Sequence, residues 1–439
     1  MPTRPELLDP TTGAPSESLV RIRDLQVHFQ LRASALARLV GGPGATVKAV
    51  DGVNLELRRG EVLGLVGESG SGKTTLGRAL LGLVPATSGS IEYGGHDLSE
   101  LGQRRLRAIR RRLQMVFQDP HAALNPSMDL LTAIGHPLRV HGLATGKPEL
   151  RAKVVAALER VGLAPAEQFL RKLPSELSGG QKQRAVIARA IISGPELLVA
   201  DEPISMLDMS VRAKILELML ELKRDLDLTY VYITHDLATA KFFCDRVAIM
   251  YLGRVVELGP TEEIFADPKH PYTRALLGAI PDPDPERQIP RELPRGEIPD
   301  AAEPPYGCAF HPRCPRAFEP CGWEGRDLQA MFERRWTRLG EQVMADETAV
   351  VGDLEDIETG QTAVRIPAPN DQSPEVLAGL FDTMRAEDPD EPLWKGVDRI
   401  AVDGDDVVVQ FRDGVDPALT RLRDVDVACH LHDPELAPP

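Results

Sequence analysis

The sequence predicts an α/β fold: a core of parallel strands alternating with helices, an inserted helical subdomain, an N-terminal antiparallel β part and a small C-terminal α+β extension. Three observations predict it. Short apolar runs at 62–66, 196–200 and 229–234 read as buried strands that end at polar loops. Amphipathic stretches at 74–83 and 181–193 read as the helices between them. The glycine-rich run Gly67-Glu68-Ser69-Gly70-Ser71-Gly72-Lys73-Thr74 joins the first strand to the first helix, the context that a phosphate-binding loop requires.

In chain order, residues 1–18 are polar and proline-containing and read as a flexible tail. Strand patterns follow at 19–29 and 47–57, separated by a glycine-rich loop at 40–45, and Arg59-Gly60 makes a turn. The run 113–117 is a further strand that ends at Gln118, and 125–175 lacks β-rich runs and reads as helices, 149–161 among them. This places a helical subdomain at about 120–180 inside a nucleotide-type domain spanning 19–280. Residues 281–305 carry eight prolines in an acidic run, a semi-rigid linker of polyproline character. A cysteine-containing domain, 306–439, closes the chain and holds an acidic insertion at 325–427. Within that insertion 374–386 reads as a helix and 398–411 as a hairpin around Asp403-Gly404.

The 439 residues suffice for two or three domains, and 42% hydrophobic with 27% charged residues is ordinary globular composition. A net charge of −15 argues against a general nucleic-acid binder, which needs a basic face. The cluster Arg104, Arg105, Arg107, Arg110, Arg111 and Arg112 reads as a solvated helix face. No stretch approaches the ~20 apolar residues of a membrane span, and the start lacks a secretory signal. The expected place is therefore the cytosol, with five cysteines that are not disulfides but metal, cluster or buried thiols. Cys244, among Phe242, Phe243 and Val247, reads as a packed core residue.

The chemistry follows from residue types and order. Glycines let backbone N–H groups turn inward around a β-phosphate, so residues 67–75, Thr75 included, form a nucleotide cradle. Lys73 neutralises the β/γ oxygens and Thr74 offers its hydroxyl to Mg²⁺. Asp201 ends an apolar strand, where a carboxylate binds Mg²⁺ through water. Glu202 is the expected general base for the attacking water. His235 ends the neighbouring strand within reach of a γ-phosphate, and Gln118, at another strand end, is placed to coordinate Mg²⁺ and sense that phosphate.

With Leu177-Ser178-Gly179-Gly180-Gln181 downstream, this set closely resembles the ATP-binding cassette (ABC) family over about residues 19–280. The resemblance implies an ABC-type ATPase acting as half of a dimer. In it, Ser178, Gly179, Gly180 and Gln181 reach the ATP held by the opposing protomer. Ser205-Met206-Leu207-Asp208 matches the family's D-loop, Asp208 included, although Met206 is usually a smaller residue there. Phe29 lies where the family stacks an aromatic on adenine, and the competing reading is a core phenylalanine.

The stretch His270-Pro271-Tyr272-Thr273-Arg274 and the later Gly307-Cys308-Ala309-Phe310-His311-Pro312-Arg313-Cys314 look like the tail of ATP-binding subunits of dipeptide/oligopeptide importers, a group that includes nickel importers. That resemblance implies ATP and Mg²⁺ as cofactors and ATP-driven peptide uptake. It also implies three kinds of partner, a second ATPase subunit (paralogue or self), two transmembrane permeases and an extracellular solute-binding protein, and no nucleic acid. The expected location is the cytoplasmic face of the membrane, held through the permeases. Members of the family carry a [4Fe–4S] cluster at cysteines matching Cys308, Cys314, Cys321 and Cys429; the spacing differs from the paired zinc pattern, and zinc and uncoordinated thiols stay open as alternatives. The 107 residues between Cys321 and Cys429 exceed the family's usual connection. They must fold compactly for the four-cysteine site to form, because closing so long a loop costs several kcal/mol. A soluble ABC ATPase acting on ribosomes or DNA is the competing function, and such proteins usually carry two cassettes or long coiled-coil arms.

Overall fold

The computed structural model describes residues 18–31, 46–280, 294–360, 362–369 and 372–437. The expected tail up to residue 17, the 40–45 loop and the 281–293 part of the linker lie outside them. The chain divides into two compact units, 1–265 and 266–439. The expected division at 280/281 falls later. The helix Pro271–Gly278 belongs to the second unit because Tyr272 and His270 pack on Phe310 there.

In the first unit, β1 (Ser18–Gln30) and β2 (Thr46–Arg58) pair antiparallel, and β1 also pairs with β4 (Ser88–Tyr93), which pairs with β5 (His96–Asp97). The second sheet is built around β3 (Val62–Val66), every residue of which is buried. Such a run, apolar on both faces, suits a parallel sheet covered on both sides. With β6 (Leu113–Val116), β7 (Leu197–Asp201), β8 (Thr229–Thr234), β9 (Arg246–Tyr251) and β10 (Arg254–Pro260), the order is β10-β9-β3-β8-β7-β6, parallel except for the β9–β10 pair. One core cluster joins the two sheets, with Leu25, Val50, Leu65, Leu76, Val199 and Ile233 almost wholly enclosed. Gly64 in β3 and Cys244 account for each other: a Cβ on Gly64 would lie 2.8 Å from the Cys244 sulfur. Cys244 is buried as expected, and burial drives its thiol well above the ordinary range.

Between β6 and β7 the chain is helical, with principal helices Leu130–Val140, Lys147–Arg160 and Gly179–Ile191. The first two of these helices fall in the 120–180 stretch read as an inserted helical subdomain, and Gly179–Ile191 follows it. The arginine cluster sits on and just after the short helix Gln103–Arg110, where Arg110 donates to the Leu81 and Gly82 carbonyls.

The second unit contains the acidic insertion, and it is folded. A four-stranded antiparallel sheet runs in the order β11 (Glu358–Thr359), β12 (Ala363–Pro367), β14 (Asp406–Phe411), β13 (Val397–Asp403), the last two forming the expected hairpin. Helices Gly325–Leu339 and Pro374–Glu387 supply Phe332, Trp336 and Phe381 to an aromatic cluster with Trp394. The insertion's ends meet: Val415 N–H donates to Pro320 O at 2.9 Å. A last hairpin, β15 (Thr420–Leu422) and β16 (Val425–Val427), leads to Cys429.

Candidate functional site

The phosphate loop runs from β3 into the helix Lys73–Leu80. Its glycines are required by close backbone approach. A Cβ on Gly67 would lie 2.2 Å from Met250 O, and Gly72, at φ 98°, would place one 2.0 Å from Ala49 O. Lys73 is buried with its Nζ donating to Gly67 O at 2.8 Å, Glu68 O at 2.7 Å and Ser71 Oγ at 3.2 Å. Burial lowers its pKa, opposed by the charges of Glu202, Asp201 and Glu68. Ser69 and Gly70 are exposed on the loop, and Thr75 is half-buried on the helix.

The register β3-β8-β7 sets the carboxylates opposite this loop. Thr74 Oγ1 donates to Asp201 Oδ1 at 3.0 Å. Asp201 is buried, and burial raises its pKa, with the Thr74 hydrogen bond and the Arg78 charge opposing and the Glu202 charge adding. A cation placed here would relieve that cost, so the hydroxyl–carboxylate pair fits Mg²⁺.

Glu202 sits between the two expected γ-phosphate contacts. Gln118 Nε2 donates to its Oε2 at 3.0 Å, and His235 Nδ1 lies 2.8 Å from its Oε1. Its backbone is left-handed, at φ 44°, an uncommon conformation for a glutamate. That turn is held by Glu202 N–H donating to Ile233 O at 2.9 Å and by the Ser205 hydroxyl donating to Glu202 O at 3.1 Å. In the sequence Ser205 stands only as part of the 205–208 loop; its support of Glu202 depends on contact geometry that no residue pattern encodes. The structure thus brings Lys73, Thr74, Asp201, Glu202, Gln118 and His235 to one end of the sheet.

It does not bring Ser178–Gln181 into that network. Ser178 is exposed at the start of the helix Gly179–Ile191 and forms a capping box with Gln181: Gln181 N–H donates to Ser178 Oγ at 3.3 Å, and Ser178 N–H to Gln181 Oε1 at 3.1 Å. Gly180 lies against Val211, where a Cβ would meet Cγ1 at 2.8 Å. The positive dipole end of this helix lies at exposed Ser178 and Gly179, where an anion would be favoured. Asp208, also exposed, precedes the helix Met209–Leu226. Phe29, at the end of β1, is 43% exposed, which removes the core reading.

In the second unit Cys308, Cys314 and Cys321 are buried and Cys429 is half-buried. The sulfurs of Cys308, Cys314 and Cys321 accept backbone N–H groups of Phe310, Arg316 and Phe318. Burial, first, and neighbouring cysteines, Cys429 included, push the Cys308 thiol well up and those of Cys314 and Cys321 up to about 12. The four are therefore neighbours. Among the described residues, no three His, Cys, Asp or Glu side chains converge to hold a metal ion. Beside them His311 is fully enclosed, with Nδ1 2.9 Å from Cys308 O and Nε2 2.9 Å from Asp327 Oδ2.

Comparison with known proteins gives two family matches: ABC transporter over residues 50–205, and oligopeptide/dipeptide transporter, C-terminal region, over 256–321. The chain is similar to the oligopeptide transport ATP-binding protein AppF of Bacillus subtilis, 45% identical over 313 residues that cover 71% of this chain and 93% of that one. It is equally similar to OppF of Escherichia coli, 45% identical over 316 residues, covering 72% of this chain and 93% of that one.

Proposed function

The chain belongs to the ABC family of oligopeptide transport ATP-binding proteins, and we propose that its sheet-end cluster is the ATP-hydrolysing site of a peptide importer. It is an ABC-type ATPase that uses ATP and Mg²⁺ and energises oligopeptide uptake through partner permeases. The ribosome- or DNA-directed alternative has no support in these matches, whose C-terminal region is that of transporters.

The observation that carries the catalytic assignment is Glu202, held between Gln118 and His235 beside Lys73 and Asp201. Its carboxylate accepts a proton from the attacking water as oxygen bonds to the γ-phosphorus and the bond to the β-bridging oxygen breaks. Gln118 and His235 orient that water and the γ-phosphate. Lys73 and the loop N–H groups of Gly67–Thr75 hold the phosphates, and Phe29 stacks on adenine. Thr74, Asp201 and Gln118 would hold Mg²⁺, which screens charge on the β/γ oxygens. Ser178–Gln181 and Asp208 serve the nucleotide of the opposing protomer.

A groove in the helical block, lined by Leu124, Asn125, Met128, His136 and Arg189, has a volume of about 490 Å³ and lies close in sequence to Gln118. It suits the seat of a permease segment. The subunit would then sit at the cytoplasmic membrane face through its partners; among the described residues no helix is long and apolar enough to cross a membrane. An extracellular solute-binding protein would deliver the peptide.

The four cysteines would hold a [4Fe–4S] cluster. Three buried sulfurs accept backbone N–H groups, as cluster thiolates do, and the four cysteines act on one another's ionisation, which supports this reading. Anaerobic purification should yield about four irons per chain, with visible absorption that Cys314→Ser abolishes. Colourless, iron-free protein refutes the cluster.

ATP turnover by purified chain tests the whole reading. Glu202→Gln should retain nucleotide binding and slow hydrolysis by about 10²–10⁴-fold; normal turnover by that variant overturns the assignment.

A further inference from the structure

The β1–β2 ladder is irregular next to the phosphate loop. Val27 pairs with Val50 and His28 with Lys48, so Ala49 is an extra residue, a bulge. The bulge turns the Ala49 carbonyl onto Gly72, where a Cβ would approach it to 2.0 Å. The β9–β10 turn closes on the same point. Leu252 and Gly253 have φ 42° and 79°, and a Cβ on Gly253 would lie 2.6 Å from Lys48 O. Gly253 N–H donates to Ser71 O at 3.1 Å, and Asp51 N–H donates to Gly253 O at 2.9 Å. Backbone bonds thus join the phosphate loop, the turn and β2. Side chains extend this junction to β1. Arg254 Nε and Nη2 donate to Asp51 Oδ2 at 3.2 and 2.9 Å, and His28 Nε2 lies 3.2 Å from Asp51 Oδ1. The Asp51 side chain is only 10% exposed. Burial would raise its pKa, but the hydrogen bond and charge of Arg254, the charge of Lys48 and the His28 hydrogen bond hold it below the usual value. Asp51 is therefore a carboxylate with one oxygen held from β10 and the other from β1.

We propose that Asp51, Arg254 and His28 are positioning residues for nucleotide binding: they fix the Phe29 end of β1 relative to the phosphate loop, so that adenine and triphosphate are gripped at one set spacing. His28 immediately precedes Phe29, whose ring is exposed at the strand end. Beyond the bulge β1 is paired with β2 only at His28, Phe29 and Gln30, so the tie at His28 bears directly on where that ring stands. A ring held in place before the ligand arrives loses less freedom on binding. This rests on the stacking of adenine on Phe29. The three residues touch neither the γ-phosphate contacts nor the base Glu202 in the bonds given above, so their effect falls on affinity for the base-bearing ligand. A brace that served the fold alone would instead weaken every ligand of the phosphate loop equally.

Equilibrium binding of ATP and of inorganic tripolyphosphate to the full chain, both with Mg²⁺, tests this. Arg254→Met keeps the side-chain stem and leaves the backbone bonds among Asp51, Gly253 and Ser71 in place. It should raise the Kd for ATP about three- to tenfold, the size of a lost aromatic stack, and leave that for tripolyphosphate within about twofold. Asp51→Asn, which loosens both Arg254 and His28, should weaken ATP at least as much, and Arg254→Lys, which keeps the charge but loses the fork, should fall between. Unchanged ATP affinity in both Arg254→Met and Asp51→Asn overturns the proposal. So does an equal weakening of ATP and tripolyphosphate, which would reduce the three residues to a brace of the fold. Adding Arg254→Met to Phe29→Ala should cost ATP affinity little beyond Phe29→Ala alone, because the ring being positioned is gone; losses that multiply in full overturn the coupling. Unchanged ATP affinity in Phe29→Ala alone refutes the stacking itself, so failure of that reading is distinguishable from failure of this one.

Discussion

Glu202 shows how a single residue is fitted to its task by its neighbours. Its left-handed backbone turn is anchored at Ile233 O and Ser205, and its two carboxylate oxygens are divided between Gln118 and His235. Removing Gln118 should leave the turn intact and loosen only the carboxylate. Gln118→Ala is therefore expected to bind ATP normally and hydrolyse it more slowly, by less than Glu202→Gln does; an equal loss would show that the two act as one unit. His270 makes a second prediction at this scale. It is buried, its Nδ1 accepts the Tyr272 N–H at 3.0 Å, and burial together with the His432 charge pushes its pKa to about 3. The unfolded chain binds that proton near pH 6.5, so between about pH 6.5 and 3 it holds more protons than the folded chain. Stability is full above pH 6.5 and falls as the pH drops. His270→Asn keeps an acceptor but does not titrate. Its loss of stability between pH 7 and pH 5, measured by urea unfolding, should be smaller than wild type's by about 2 kcal/mol.

At the scale of elements, the helix Gly179–Ile191 carries two jobs on one side chain. Ser178 caps it in the folded monomer and is also the residue proposed to face the partner's ATP. Ser178→Ala should cost about 1 kcal/mol in unfolding free energy from the lost cap, and should slow hydrolysis by more than that thermal effect explains. Ser178→Asp restores an N-cap acceptor but sets a negative charge toward the triphosphate, so stability should recover while hydrolysis does not. Recovery of both would confine the residue to capping. These elements were legible in the sequence because their signals are local. The loop glycines, the apolar run of β3 and the Ser–Gln box each sit within a few residues of one another. The exposure of Phe29 and the bracing of Glu202 by Ser205 were not legible, because they depend on which strands become neighbours.

At the scale of the molecule, the boundary after Phe265 and the folding of the 325–427 insertion go beyond what composition reveals. The insertion was required to fold compactly, and Val364, Ile366, Val407 and Val409 are fully buried and give it a core of its own. What the sequence did impose was that Cys321 and Cys429 meet only if that insertion closes on itself, and the Val415–Pro320 hydrogen bond is such a closure. The remaining requirement is a second protomer. The sheet-end cluster supplies a base, a lysine and the Mg²⁺ partners, but the side-chain bonds of Ser178 and Gln181 are to each other, and Ser178 and Asp208 are exposed. A site completed across an interface makes a specific mixing prediction. Glu202→Gln blocks turnover while leaving ATP in place, so this variant should accumulate as a dimer on ATP addition, seen by sedimentation. Ser178→Arg, with a cation on the opposing face, should remain monomeric. Mixing Lys73→Ala, unable to hold phosphate, with Ser178→Arg should restore up to one functional site per pair, because an intact loop from one chain meets an intact Ser178 from the other. If the chain instead pairs with a paralogous ATPase, the same restoration appears only when that paralogue is present. Hydrolysis at full rate by the Ser178→Arg monomer alone would show that each chain completes its own site.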